Sequence, residues 1–147
     1  MRETLVIEDA KDADLDAIHR IEQESFPAPW RREFFASELT AEGRFTIVAK
    51  RRGAVIGYLF AMWFFDEMHV NKIAVDATVR RQGIADAMMD RCFTFAREHG
   101  VKEIALEVRR SNHGAQEFYR RLSFESSHLR PRYYPDGEAA VVMVREL

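Results

Sequence analysis

One cysteine, Cys92, stands among 147 residues, so no internal disulfide can form and a reducing compartment suits the chain. A surplus of basic charge is missing too. The net charge is −2 and the isoelectric point is near 6.2, whereas a general nucleic-acid binder carries a basic excess. No apolar stretch reaches membrane length. The longest, Ala54 to Phe65, is bounded by Arg51-Arg52 and Asp66-Glu67 and falls well short of the roughly 20 residues a membrane helix needs. The opening MRETLVIEDA has no apolar segment followed by a cleavage site, which argues against a signal peptide and for a cytoplasmic location. His19, His69, His99, His113 and His128 make no compact ligand motif with one another, with cysteine or with acids, so no metal is expected. Repeats and low-complexity tracts are lacking.

What is present is a core. At 47% hydrophobic residues the chain can bury one without disulfides or metal, and its length suits a single domain over residues 1–147. Leu5 to Glu8 reads as a short strand. Asp12 to Ser25 carries Leu15, Ile18 and Ile21 at helical spacing, and Phe26-Pro27-Ala28-Pro29-Trp30 ends that helix. Arg32 to Leu39 reads as a second helix. Arg44 to Lys50 and Ala54 to Phe65 are strands around an Arg52-Gly53 hairpin, and Asp66-Glu67 is expected to turn into a third strand, Met68 to Val75. Ile84, Ala87, Met88, Cys92, Phe95 and Ala96 trace one helical face, which Gly100 closes. Cys92, on that face, reads as packing. Strand Glu103 to Val108, helix His113 to Leu122 and a last pair of strands, the final one Ala139 to Val144, complete a mixed α/β sheet, mainly antiparallel and flanked by helices.

Two features carry chemistry. After the strand ending at Val75, Arg80-Arg81-Gln82-Gly83-Ile84-Ala85 opens a helix. Free N–H groups at a helix start, aided by the helix dipole, suit an anion such as a cofactor phosphate. Gly83 permits close backbone approach and positive φ; a solvated basic loop is the plainer reading. The second feature is Glu107 in the strand IALEV and Tyr119 on the helix that follows. A carboxylate and a phenol suit a reaction that removes one proton and returns another. Residue context alone leaves Glu107 open between a general base and a strand-end carboxylate paired with Arg109 or Arg110. Tyr119 is open between a proton donor and a core residue beside Ala115, Phe118 and Leu122. Burial is expected to raise the pKa of Glu107.

Arg80-x-x-Gly83-x-Ala85 resembles the acetyl-CoA pyrophosphate motif of the GNAT acetyltransferase superfamily, and Asn71-Lys72-Ile73-Ala74-Val75 resembles its pantetheine-pairing strand. The resemblance runs from Leu5 to Met143. Phe26 to Trp30, Leu106 to Asn112 and Tyr133-Tyr134-Pro135 narrow it to members that acetylate the N-terminal alanine of a small-subunit ribosomal protein. It implies acetyl-CoA as co-substrate, held by Ile73, Ala74, Val75, Arg80, Arg81, Gln82, Gly83, Ile84, Ala85 and Asn112. It implies Glu107 as general base, Tyr119 as general acid, and direct amine attack without an acyl-enzyme. It also implies a peptide slot between Phe26, Pro27 and Trp30 on one side and Tyr133 and Tyr134 on the other. Taken without the resemblance, Asn112 is sufficiently explained as a helix cap and the aromatics as loop packing. Where the family has L-G-F this chain has Leu122-Ser123-Phe124, which places a serine in a turn that suits glycine. The expected partners are acetyl-CoA and a protein N-terminus, with neither nucleic acid nor membrane. A lysine or small-amine acceptor on the same scaffold, or an acetyl-CoA sensing module without turnover, is the alternative.

Overall fold

The computed structural model describes residues 4–147; residues 1–3, which begin the stretch read for a signal peptide, lie outside them. The strands in chain order are β1 (Val6–Asp9), β2 (Arg44–Arg51), β3 (Ala54–Phe64), β4 (Glu67–Val75), β5 (Glu103–Arg109), β6 (Glu125–Arg130) and β7 (Ala140–Glu146). The helices are α1 (Leu15–Ser25), α2 (Arg32–Thr40), α3 (Ile84–Glu98) and α4 (His113–Arg121). All seven strands form one sheet in the order β1-β2-β3-β4-β5-β7-β6. Every neighbouring pair is antiparallel except β4 and β5. The chain reaches β5 from β4 through α3, the crossover a parallel pair requires.

Alternation along the strands sorts two cores. On β3, Tyr58 and Phe60 face α1 and α2, packing with Ile18, Ile21 and Phe35. Leu59 and Ala61 face the other way and pack with Met88, Met89 and Cys92 of α3. Gly57 lets α3 settle close: a Cβ there would stand 3.1 Å from both Ala74 O and Met88 Cε. One turn differs from the sequence reading. The β3–β4 hairpin turns at Phe65-Asp66, with Phe65 at φ +54°, and Glu67 already belongs to β4.

A bulge in β4 decides which side chains reach the site. Ala61 pairs with Val70 but Phe60 pairs with Lys72, which leaves Asn71 as an extra residue. One added residue reverses the facing of everything after it. Met68 and Val70 thus point into the α3 core, and so do Ile73 and Val75 beyond the bulge. His69 before the bulge, and Lys72 and Ala74 after it, are turned to the opposite side.

Candidate active site

The sheet opens where β4 and β5 part. Their parallel pairing covers only Glu67↔Glu103, Met68↔Ile104 and His69↔Ala105. Past His69, the backbone of β4 has no strand partner on that edge. Two cavities flank the opening and share Ser25, Phe26, Ile73, Asn112, Ala115 and Tyr119.

The first cavity, about 430 Å³, is lined by Ile73, Ala74, Val75, Arg80, Arg81, Gly83, Ile84, Ala85 and Asn112 among others. Gly83 is the N-cap of α3 at φ +79°, and no side chain caps its first turn. The amides that precede the first helical bond, Ala87 N–H to Gly83 O at 3.0 Å, therefore remain available to an anion. Arg81 also has positive φ, +62°, so the turn is tight on both sides of Gln82. Gln82 itself does not line the cavity. Its Oε1 accepts a hydrogen bond from Arg51 Nη1 at 2.6 Å, which braces the turn from behind. Nine of the ten residues expected at the cofactor thus line one cleft, and Gln82 supports it.

The second cavity, about 690 Å³, is lined by Phe26, Pro27, Trp30, Tyr133 and Tyr134, with Glu107 and Tyr119 at its floor. The alternation of β5 puts Ile104, Leu106 and Val108 in the core and Glu107 and Arg109 on the cavity side. Glu107 does not pair with Arg109 or Arg110. Its Oε2 shares a hydrogen bond with His69 Nε2, and its Oε1 accepts from Arg130 Nη1 at 3.3 Å. His69 Nδ1 lies 2.5 Å from Asn71 Oδ1. These partners overturn the expectation of a raised carboxyl pKa. Burial does push upward, but the hydrogen bond and charge of His69, with Arg130 and His128, hold Glu107 below the usual carboxylate range. For His69, burial pushes downward, and the hydrogen bonds and charge of Glu107 with Asn71 outweigh it, so its pKa is raised. Each partner therefore favours the charged form of the other.

Tyr119 is buried, and burial lifts its phenol above the ordinary value, with smaller contributions from Tyr134 and Cys92. Its position comes from the end of α4. Ser123 stands at φ +68°. Its N–H donates to Arg120 O at 2.9 Å and that of Phe124 donates to Tyr119 O at 3.0 Å, the double closure of a Schellman motif. The apolar contact that completes the motif is Tyr119 against Phe124, ring centroids 5.6 Å apart. The serine thus occupies the left-handed position suited to glycine. At the other end of α4, Asn112 caps the helix, its Oδ1 accepting Ala115 N–H at 3.1 Å, and still lines both cavities.

Several site residues escaped the sequence reading. Glu22 is fully buried and gathers three donors: Tyr58 Oη, Trp30 N–H at 2.9 Å and Lys72 Nζ at 2.9 Å. Lys72 also sits 3.7 Å from the centroid of the Phe26 ring. This cluster fixes the Phe26–Trp30 wall to β4. A charge on the apolar stripe of α1 was its one sequence signal. His69 and Arg130 gave none, since their approach to Glu107 depends on the bulge and on strand order. Of the acidic residues Glu24, Asp66 and Glu67, none lines the groove, and Glu24 pairs with Arg20. Among the described residues, no group of three or more His, Cys, Asp and Glu is placed to hold a metal ion, and no helix is long and apolar enough to cross a membrane.

Comparison with known proteins meets this geometry. The family described as acetyltransferase (GNAT) family matches residues 15–124. The [ribosomal protein bS18]-alanine N-acetyltransferase of Escherichia coli (strain K12) is 32% identical over 140 residues, covering 93% of this chain and 94% of that protein. The crystal structure of the ribosomal-protein-S18-alanine N-acetyltransferase from Escherichia coli superposes with a TM-score of 0.90 at 31% identity, over 97% of this chain and 94% of that one. An N-alpha-acetyltransferase of Saccharolobus solfataricus is 31% identical over 96% of this chain and 92% of its own length.

Proposed function

This chain belongs to the acetyltransferase (GNAT) family and is an acetyl-CoA-dependent N-acetyltransferase. On that premise we propose that its acceptor is the free N-terminal amine of a protein, with the N-terminal alanine of a small-subunit ribosomal protein as the leading substrate. The observation that carries the reading is the junction at Tyr119. The groove that holds Glu107 and the cleft behind the phosphate turn meet there, so an amine and a thioester entering from opposite sides come together between a carboxylate and a phenol. The names of the relatives support the acceptor: one acts on the alanine of a ribosomal protein, another is an N-alpha-acetyltransferase.

The cofactor's pyrophosphate would rest on the amides of Gly83, Ile84 and Ala85 with Arg80 and Arg81 adding charge, and its pantetheine arm would pair with the free edge of Ile73 to Val75. A backbone N–H of that edge would meet the oxygen of the tetrahedral intermediate. The amine attacks the thioester carbon only when neutral. Glu107, directly or through one water, takes the proton that the amine gives up, and Tyr119 Oη returns a proton to the departing thiolate. The raised pKa of Tyr119 keeps it protonated until the thiolate forms.

The charge state of Glu107 bears on the acceptor. A carboxylate held below its ordinary pKa is a weak base. An α-amine of pKa about 8 needs roughly 1 kcal/mol to be neutral at pH 7, whereas a lysine at about 10.4 needs roughly 4.6 kcal/mol. A weak base suits the first acceptor and not the second.

The test measures CoA release from acetyl-CoA with two peptides. One begins with a free alanine and has no lysine; the other has a blocked N-terminus and one internal lysine. Turnover on the first alone supports the reading. Turnover mainly on the second moves the acceptor to lysine, and silence on both with acetyl-CoA still bound removes the N-terminal assignment.

A further inference from the structure

The connection from β6 to β7 forms the tyrosine wall of the acceptor groove, and one side chain of β5 grips it. Arg109 Nη1 donates to Asp136 Oδ2 at 2.8 Å and to Glu138 Oε1 at 2.9 Å. The same guanidinium lies 4.1 Å from the centroid of the Tyr134 ring, within cation–π range. Glu138 is held again by Ser111, whose N–H donates to its Oε2 at 2.8 Å. The backbone carbonyl of Glu138 in turn accepts the N–H groups of both Tyr133 and Tyr134 at 3.1 Å. Tyr134-Pro135-Asp136-Gly137 closes a turn, Gly137 N–H to Tyr134 O at 2.8 Å, which aims Asp136 back at Arg109. Arg109 therefore collects the tip of the connection, its returning limb and the ring of Tyr134.

Arg109 is two residues after Glu107 on the same face of the same strand. The guanidinium thus ties the wall to the element that carries the carboxylate. We propose that Arg109 is a positioning residue that sets the affinity and register of the acceptor amine, by clamping the Tyr133–Tyr134 wall at a fixed distance from Glu107. The proposal rests on the reading of this groove as the acceptor site. Without the clamp, the cost of ordering the wall falls on acceptor binding, so the effect belongs in KM. A lysine offers one point charge and no planar fork to face the ring, so it can restore only part of the clamp.

The experiment compares wild type, Arg109→Gln and Arg109→Lys by steady-state kinetics on whichever of the two peptides above the wild type acetylates, and by amide hydrogen exchange without acceptor. Arg109→Gln is expected to raise the acceptor KM about tenfold with kcat within about twofold and the acetyl-CoA dissociation constant unchanged. Arg109→Lys should fall between. Exchange should quicken at Tyr133, Tyr134 and Ser111 while α3 keeps its protection. Quickened exchange with an unaltered KM overturns the proposal, because the wall's order would then not matter to the acceptor. A fall in acetyl-CoA affinity or a loss of protection through α3 also overturns it, because the residue would then be acting on global stability. The choice of peptide by the wild type judges the N-terminal reading separately, since the exchange difference is read without any acceptor.

Discussion

The two cavities that meet at Tyr119 are built by different means. The cleft proposed for the cofactor is made largely of backbone from one continuous stretch, Ile73 to Ala85: a strand edge without a partner, a turn with two positive-φ residues, and an uncapped helix start. The groove proposed for the acceptor is lined by side chains drawn from α1, the loop after it, β4, β5, α4 and the β6–β7 connection. Its lysine and arginine are spoken for, Lys72 by Glu22 and Arg109 by Asp136 and Glu138, and Arg130 of β6 pairs with Glu107. Backbone amides suit a ligand that is always the same. Side-chain networks can be exchanged residue by residue, which suits an acceptor that differs between relatives.

The sharpest way to break this contrast is at the carboxylate. Glu107→Gln should lower kcat by about 100- to 1,000-fold and leave the acetyl-CoA dissociation constant within error, as measured by calorimetry. Tyr119→Phe should lower kcat by about 10- to 100-fold, again without loss of cofactor affinity. Wild-type rates in both would remove the acid–base assignment. The pH dependence of stability sharpens the point. Glu107 is held below its ordinary 4.5 and His69 above its ordinary 6.5. The contribution of the pair is therefore full between those values. It is lost as pH falls through the lowered Glu107 pKa and lost as pH rises through the raised His69 pKa. The stability difference between wild type and His69→Gln should peak in that window and shrink on both sides.

Next in size is the support of the opposite wall. Lys72→Met leaves Glu22 buried with two donors and no counter-charge, and should cost about 3 kcal/mol in denaturant unfolding. Glu22→Gln in the same chain should recover much of that loss, because the uncompensated charge is then gone. If the groove is modular, the single variant raises acceptor KM without moving acetyl-CoA affinity. Gly83→Val tests the other side. A β-branched residue at φ +79° costs about 1–2 kcal/mol in the bound turn, so acetyl-CoA should bind about tenfold more weakly while the acceptor KM holds. An unchanged cofactor affinity would dismiss the phosphate turn.

The same contrast explains what the sequence made legible. The cleft was readable because its signals are local: Gly83 after two arginines, and Asn112 where a cap belongs. The helices and the strands other than β6 came from periodicity; β6 is exposed along its whole length and has no buried face to give it bounds. The hairpin turn lies one residue away from its expected place because Phe65, an aromatic, takes a positive φ that composition does not favour. Glu107 and Tyr119 stood out by type and spacing. Their electrostatics did not, because His69 and Arg130 reach Glu107 only through the bulge at Asn71 and the placement of β6 at the far edge. A buried cluster such as Glu22 with Tyr58, Trp30 and Lys72 depends on three elements packing together, and no window of sequence contains it.

The smallest effect falls where the two cavities join. Ser123 takes φ +68° at the end of α4, a conformation that costs a residue with a Cβ about 1–2 kcal/mol. Glycine relieves that strain but loses more chain entropy on folding, up to about 1 kcal/mol. Ser123→Gly should therefore stabilise the chain by about 0.5–1 kcal/mol, seen as a higher denaturant midpoint at constant slope. The hydrogen bonds of Ser123 and Phe124 that close the helix come from the backbone, so glycine preserves them, and Tyr119 stays where they hold it. Activity should then be unchanged. A gain in stability with a fall in kcat would mean instead that the strain at Ser123 helps to aim the phenol, and would make this turn part of the acceptor side.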